Sequence, residues 1–175
     1  MDYKDKRQIN RGRKFLSFFI CAEEYCIAID YVKEIMGLPE ITRLPQTPDF
    51  IIGVINLRGV IMPVIDMRKK LNLPWESYGP KACVIVIEFD FEGTETRMGI
   101  IVDETNEVVA IPAELISRIP YVNSKIRSEY IEGIAEMDEK IKIILDISKV
   151  LKDEEFVEIN KINRKMETEK EMIDE

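Results

Sequence analysis

Residues 53–71, GVINLRGVIMPVIDMRKKL, recur as residues 133–151, GIAEMDEKIKIILDISKVL. The two segments align without a gap at an offset of 80 positions and share Gly, Ile, Asp, Lys and Leu at matching places. Phe50 and Tyr130 continue the match upstream. Because repetition at a fixed interval marks a duplicated structural unit, the chain is predicted to contain two similar units of about 70 residues each.

A weaker sequence similarity extends the repeat toward the N-terminus. Residues 43–45 (RLP) resemble residues 118–120 (RIP), and residues 29–35 resemble residues 102–108. The offset differs from 80 in both cases, so the connecting loops of the two units are expected to differ in length.

The repeated units are predicted to be β-structure with little helix. Runs rich in β-branched and aromatic residues predict strands at 15–21, 25–29, 53–57, 60–65, 82–91, 97–102 and 141–147. Turn residues separate them at 22–24, 58–59 and 92–94. Short helices are expected near 66–71 and 147–151, with shorter turns near 30–34 and 113–116.

We expect two small β-barrels, because closing a sheet removes edges that promote aggregation. The predicted divisions are a basic, flexible N-terminus (1–13), a first barrel (14–80), a second barrel (81–152) and an acidic C-terminal tail (153–175), with the N-terminal strand able to cross to the second barrel. Phe156, Ile159, Ile162 and Met166 lie at helical spacing in the tail. This spacing fits either a docked helix or a frayed, solvated one.

Composition excludes several function classes. A net charge of −8 and a pI near 4.9 oppose a nucleic-acid partner, since that affinity requires a basic surface. The chain has no histidine, so it lacks the commonest general base and metal ligand. Cys21, Cys26 and Cys83 have no CxxC spacing and are expected to be reduced core thiols. No cofactor or metal is expected.

The sequence contains neither a long apolar stretch nor a signal peptide. No run approaches 18 consecutive apolar residues, and no apolar core follows the charged N-terminus. We therefore expect a cytoplasmic protein without direct membrane insertion.

The first copy of the repeat also resembles a known family signature. Residues 53–66 resemble the signature of the CheW family, with its Asn-Leu-Arg-Gly turn followed by a Pro-Val-Ile-Asp strand. Other similar segments are FLSF at 15–18, EEY at 23–25, VKEI at 32–35 and TRLP at 42–45. The resemblance covers residues 14–152.

This resemblance implies a mainly β fold of two SH3-like, five-stranded barrels packed on a shared core. It also implies a non-catalytic chemotaxis adaptor that couples the signalling tips of methyl-accepting chemoreceptors to the regulatory domain of the histidine kinase CheA. Further copies of the coupling protein are implied as partners in array rings, with the protein recruited from the cytoplasm to membrane-associated receptor arrays.

Residues that match the family pattern are candidates for the receptor- and kinase-binding site. They are Val32, Glu34, Ile35, Asn56, Arg58 and Gly59, with Leu16, Ile29 and Val102 as further candidates for lining the same groove. Each has a structural alternative: Asn56 and Gly59 suit a tight turn, and Leu16 and Ile29 suit a core. For Arg58 a binding role is favoured, because the second repeat has Asp138 at the matching position.

Two other functions are compatible with parts of the sequence. An enzyme could use Asp66, Asp103 or Asp146 as acid or base, but Asp66 and Asp146 occupy equivalent positions where a carboxylate can cap the following helix. The alternative without catalysis is an SH3-like or OB-like barrel that binds another protein or a nucleic acid.

Overall fold

The structure is a computed structural model that describes residues 12–74, 77–118 and 130–151, together with Glu155, Ile159, Lys161 and Ile162. Within these residues the strands are β1 (Arg13–Ile20), β2 (Glu23–Ala28), β3 (Val32–Gly37), β4 (Ile51–Leu57), β5 (Val60–Asp66), β6 (Cys83–Phe91), β7 (Thr94–Val102), β8 (Glu104–Ile111), β9 (Ile116–Ser117), β10 (Ile131–Met137) and β11 (Lys140–Leu145). The helices are α1 (Met67–Lys70), α2 (Ile147–Val150) and the 3-10 turns Ile29–Tyr31 and Ala113–Leu115.

The strands form two sheets, which confirms the mainly β prediction. One sheet has six strands in the order β8-β1-β2-β11-β10-β9, and the other has five in the order β3-β6-β7-β5-β4. The sixth strand departs from the expected five. It arises because Ile116 and Ser117 pair with β10, whereas the corresponding Thr42 forms only a single bridge to Val54.

Each sheet takes one hairpin from the other half of the chain. Hairpin β1-β2 pairs with β8 and β11, while hairpin β6-β7 pairs with β3 and β5. The N-terminal strand therefore pairs with strands from the second half of the chain. Strands β6 and β7 cross between the halves as well, because β5 forms its parallel ladder with β7 and β11 forms its parallel ladder with β2. The two sheets therefore do not divide at residues 80 and 81.

The repeat is visible in individual hydrogen bonds. The amide of Asp66 donates to the carbonyl of Phe50, and the amide of Asp146 donates to that of Tyr130, both at 2.9 Å. The shared glycine also has a physical reason, because a Cβ at Gly53 would lie 2.1 Å from the carbonyl oxygen of Thr42. A side chain there would push Thr42 away from β4 and break its bridge to Val54.

The two aspartates cap the short helices, as predicted. Asp66 accepts hydrogen bonds from the amides of Arg68 (2.8 Å) and Lys69 (3.2 Å). Asp146 accepts one from the amide of Ser148 at 3.1 Å. These three bonds satisfy donors that the first turn of a helix leaves open.

Two-residue turns close four of the hairpins. Both turn residues have positive φ in each: Cys21 and Ala22, Arg58 and Gly59, Glu92 and Gly93, Asp138 and Glu139. This is the geometry of type I′ turns, which match the twist of the flanking strands. The first turn therefore lies one residue earlier than predicted, because Glu23 and Glu24 already pair with β1.

Apolar side chains form one shared core and two smaller clusters. The shared core draws on both sheets, including Phe18 and Tyr25 from one and Ile85 and Ile100 from the other. One small cluster lies within the five-stranded sheet, around Met62, and the other within the six-stranded sheet. This arrangement is consistent with two SH3-like barrels packed on a common core.

Residues of the C-terminal tail dock on the shared core. The four described tail residues are helical, and Ile159 and Ile162 are buried in the shared core. Glu155 accepts a hydrogen bond of 2.5 Å from the buried Lys70, whose ammonium also lies 4.6 Å from the centre of the Phe50 ring. The docked helix is thus the correct alternative at these positions, while Phe156 and Met166 lie outside the described residues.

Candidate functional site

Strand β3 presents three of the candidate residues at the edge of the five-stranded sheet. Within the described residues β3 pairs only with β6. Val32 is partly buried and packs against the shared core, Glu34 is partly exposed, and Ile35 is 43% exposed. An exposed apolar residue next to a charged one is typical of a contact surface.

The other three candidates form the β4-β5 turn. The Asn56 side-chain oxygen accepts a hydrogen bond from the amide of Gly59 at 2.9 Å, which closes the turn. The matching turn of the second repeat has Asp138 and Glu139 with the same positive φ. The fold therefore requires neither Arg58 nor a glycine at this place.

An ion pair joins the strand to the turn. Arg58 Nη2 lies 2.6 Å from Glu34 Oε1, and the Arg58 side chain is 76% exposed. Since β3 and β4 are opposite edges of the sheet order, this contact brings the two edges together, as expected for a barrel. An ion pair this exposed contributes about 0–1 kcal/mol to stability, so the guanidinium is free to exchange partners at little cost.

The predicted groove-lining residues do not share this surface. Leu16 and Val102 are only 3% and 1% exposed and belong to the shared core. Ile29 is partly buried and lines a separate cleft of about 500 Å³ with Gly12, Arg13, Lys14, Ala28 and Asp30. Both faces of the strand segments that carry Leu16 and Val102 are covered.

Sequence reasoning missed Val60, which follows the turn and is 41% exposed. It lies two residues beyond Arg58, at the start of a strand whose next residues are increasingly buried. The sequence gives no signal for its exposure, because an apolar residue in a strand is more often buried.

The three aspartates proposed for catalysis have structural partners. Asp66 and Asp146 cap helices, and Asp66 also accepts a hydrogen bond from the Tyr78 hydroxyl. Asp103 accepts hydrogen bonds from Arg68 (2.6 Å) and from the amide of Cys21 (2.8 Å). Across the described parts of the chain, no three Cys, Asp or Glu side chains are grouped so as to hold a metal ion.

The cysteines are free thiols. Burial raises the pKa of Cys26 to about 12 and also raises the pKa of Cys83. Both are buried, as predicted, whereas Cys21 lies in a turn and is partly exposed. A thiol with so high a pKa is a poor nucleophile near neutral pH.

Known proteins match nearly all of the described fold. The model of the CheW-like domain matches residues 14–155. The chemotaxis protein CheW of Klebsiella aerogenes is 39% identical over 151 residues, 86% of this chain and 89% of that protein. The CheW protein of Bacillus subtilis is 35% identical over 147 residues, 84% and 92% of the two chains.

A solved structure agrees with the fold. The scaffolding protein TtCheW from Thermoanaerobacter tengcongensis superposes with a TM-score of 0.72 at 33% identity, covering 82% of this chain and 90% of that one. Fold and exposed site together define a two-sheet β protein of the scaffold class. Its sequence and structural relatives specify the rest: the chain belongs to the CheW family of chemotaxis proteins.

Proposed function

We propose that the protein is a non-catalytic adaptor that couples methyl-accepting chemoreceptors to the histidine kinase CheA in signalling arrays. It binds receptor signalling tips and the CheA regulatory domain, and it meets other copies of the coupling protein in array rings. In this role it works in the cytoplasm and is recruited to receptor arrays at the membrane. None of the helices in the described residues is both long and apolar enough to span a membrane.

The single observation that carries the proposal is the exposed Arg58, which pairs with Glu34 on strand β3, where Ile35 is also exposed. The fold does not require an arginine there, since Asp138 occupies the same turn in the other repeat. A planar guanidinium on an exposed turn suits protein recognition, where arginine is enriched at binding hot spots. Glu34 keeps the guanidinium oriented until a partner carboxylate or carbonyl replaces it.

The test is a titration of the purified protein against a CheA regulatory domain and a receptor signalling-tip fragment. Arg58→Ala is expected to weaken binding of one partner by about tenfold or more, the scale of a binding hot spot. Asp138→Ala, at the equivalent turn position, is the matched control and should leave that affinity unchanged.

A second pair of variants tests the apolar contact. Ile35→Ser should weaken binding, whereas Val108→Ser, at the matching position of β8, should not; both side chains are exposed, so neither change should disturb folding. Binding to neither partner would overturn the proposal. Undiminished affinity in folded Arg58→Ala and Ile35→Ser would remove this surface from the proposal.

A further inference from the structure

One sheet contains a buried ionic cluster. Glu24 on β2 and Lys142 on β11 are 6% and 5% exposed. Lys142 and Ser17 both donate hydrogen bonds to Glu24 Oε1, and the side-chain amide nitrogen of Asn106 (Nδ2) donates a third at 3.1 Å. Burial alone would raise the pKa of Glu24, but these hydrogen bonds outweigh it and the pKa is lowered. The carboxylate therefore stays charged inside the sheet.

Buried ion pairs are costly to desolvate, and apolar residues of similar size are often equally stabilising. Such a pair is best understood where it specifies one arrangement over another, as polar residues do when they fix a coiled-coil register. The repeat creates that need here, because two similar hairpins could each pair with either repeat strand.

The registers of the two parallel ladders show which positions correspond. Cys26 on β2 lies opposite Ile144 on β11, and Gly99 on β7 lies opposite Val64 on β5. Ile144 and Val64 occupy the same repeat position. Hairpins β1-β2 and β6-β7 therefore enter the two sheets in the same way.

Two residues earlier along each of these strands, the chemistry differs. The six-stranded sheet pairs Glu24 with Lys142, whereas in the five-stranded sheet the corresponding residues are Arg97 and the buried Met62. If β2 lay beside β5, Glu24 would face Met62 without a cation. If β7 lay beside β11, Arg97 would approach Lys142 with the same charge, and its ion pair with Glu88 would move with the hairpin. Both wrong pairings separate Glu24 from Lys142, so that the buried carboxylate loses its cation.

We propose that the Glu24–Lys142 ion pair selects which hairpin enters which sheet, so that the two repeats exchange hairpins in one way only. It stabilises β2 beside β11 and opposes every arrangement that places β7 there. Met62, at the equivalent position, leaves the five-stranded sheet open to a hairpin without a buried carboxylate.

Cysteine cross-links can report the pairing. In a Cys21→Ser, Cys83→Ala background, Ile144→Cys places a thiol opposite Cys26 in the observed arrangement, and Val64→Cys places one opposite Cys26 only in the wrong arrangement. Neighbouring strands lie within the span of a disulfide. Each protein is refolded from denaturant under oxidising conditions, and cross-linked monomers and dimers are scored on a non-reducing gel.

With the native ion pair we expect the Ile144→Cys cross-link and only background from Val64→Cys. The neutral variant Glu24→Gln, Lys142→Met keeps side-chain size and leaves no buried charge, so the Val64→Cys cross-link should rise at least tenfold. An unchanged Val64→Cys yield in the neutral variant would overturn the proposal.

Charge reversal provides the second test, and it decides the matter if the neutral variant does not fold. Glu24→Lys should raise the Val64→Cys cross-link, because two lysines then oppose each other in the observed arrangement. Adding Lys142→Glu restores an ion pair and should return the cross-link to background. A Val64→Cys yield that stays high in the reversed pair would also overturn the proposal.

Discussion

At the scale of the residue, backbone conformation separates the two copies of the hairpin turn. Gly59 and its counterpart Glu139 both have positive φ, at 83° and 62°. Glycine adopts this region without steric cost, whereas other residues lose about 1–2 kcal/mol there. The second repeat therefore retains backbone strain that the first avoids.

Glu139→Gly should raise the free energy of unfolding by about 1 kcal/mol, because glycine relieves the strain at a positive φ. The opposite change in the matched turn, Gly59→Glu, should lower it by a similar amount. Urea unfolding monitored by circular dichroism measures both. A loss of stability in Glu139→Gly would show that the Glu139 side chain makes a compensating contact.

Glu24 predicts an acid-dependent term in stability. Its pKa is lowered in the folded protein, so the carboxylate binds a proton less readily there than in the unfolded chain. The stabilisation that Glu24 contributes to folding is therefore present above about pH 4.5 and is lost as the pH falls through the folded pKa. Glu24→Gln should cost about 2–4 kcal/mol at neutral pH, because Lys142 loses its buried partner.

The difference in the free energy of unfolding between wild type and Glu24→Gln should become smaller as the pH falls below about 4.5, as measured by urea unfolding across a pH series. Glu23→Gln, one residue away and exposed, controls for the loss of one negative charge. A gap that stays constant with pH would mean that Glu24 is not the titrating group.

At the scale of the element, the tail helix is part of the fold rather than an appendage. Ile159 and Ile162 complete the shared core, and Glu155 neutralises Lys70, which lies near the rings of both Phe50 and Tyr130. These two aromatic residues are repeat equivalents, so one lysine contacts matching residues of both halves. Through Glu155 and Lys70, the tail helix is therefore linked to matching residues of both units.

Ile159→Ala should lower the free energy of unfolding by about 2–5 kcal/mol, because it leaves a cavity at a fully buried position. Lys161→Ala, an exposed residue of the same helix, is the control and should change it by less than about 0.5 kcal/mol. Thermal unfolding measures both. Equal, small effects would indicate that the helix detaches in solution.

Sequence patterns predicted the positions of the strands and turns better than they predicted which face of each strand is exposed. The Arg58 turn was identified because the motif and the repeat mark it independently. The family resemblance makes Leu16 a groove candidate, and the sequence of β1 cannot decide between groove and core. Residues 15–18 are all buried, one face in the cluster of the six-stranded sheet and the other in the shared core. A strand buried on both faces gives no signal of which side faces a partner.

At the scale of the whole molecule, the shared core makes the two sheets mutually dependent. Phe18 and Tyr25 from one sheet pack with Ile85 and Ile100 from the other. Heating should therefore produce one cooperative transition, with calorimetric and van't Hoff enthalpies that agree. Two resolved transitions in the calorimeter would show that each sheet is stable alone.

The hairpin exchange could not be predicted from the repeat. Periodicity shows that Val64 and Ile144 are equivalent, but both are apolar and either suits Cys26 or Gly99 as a neighbour. Which copy pairs with which is a non-local choice, and the charges that distinguish the copies, Glu24 and Lys142, lie 118 positions apart. A single sequence does not connect residues at that separation.

The exchanged hairpins also determine which sheet can be completed first while the chain is being synthesised on the ribosome. The five-stranded sheet has all its strands once residue 102 has emerged, but the six-stranded sheet needs both residue 13 and residue 145. During synthesis, which proceeds from the N-terminus, hairpin β1-β2 must wait beside a finished neighbour for its own partners. A nascent chain paused before residue 131 would hold one complete sheet and the three strands β8-β1-β2, in which the edge of β2 still lacks β11.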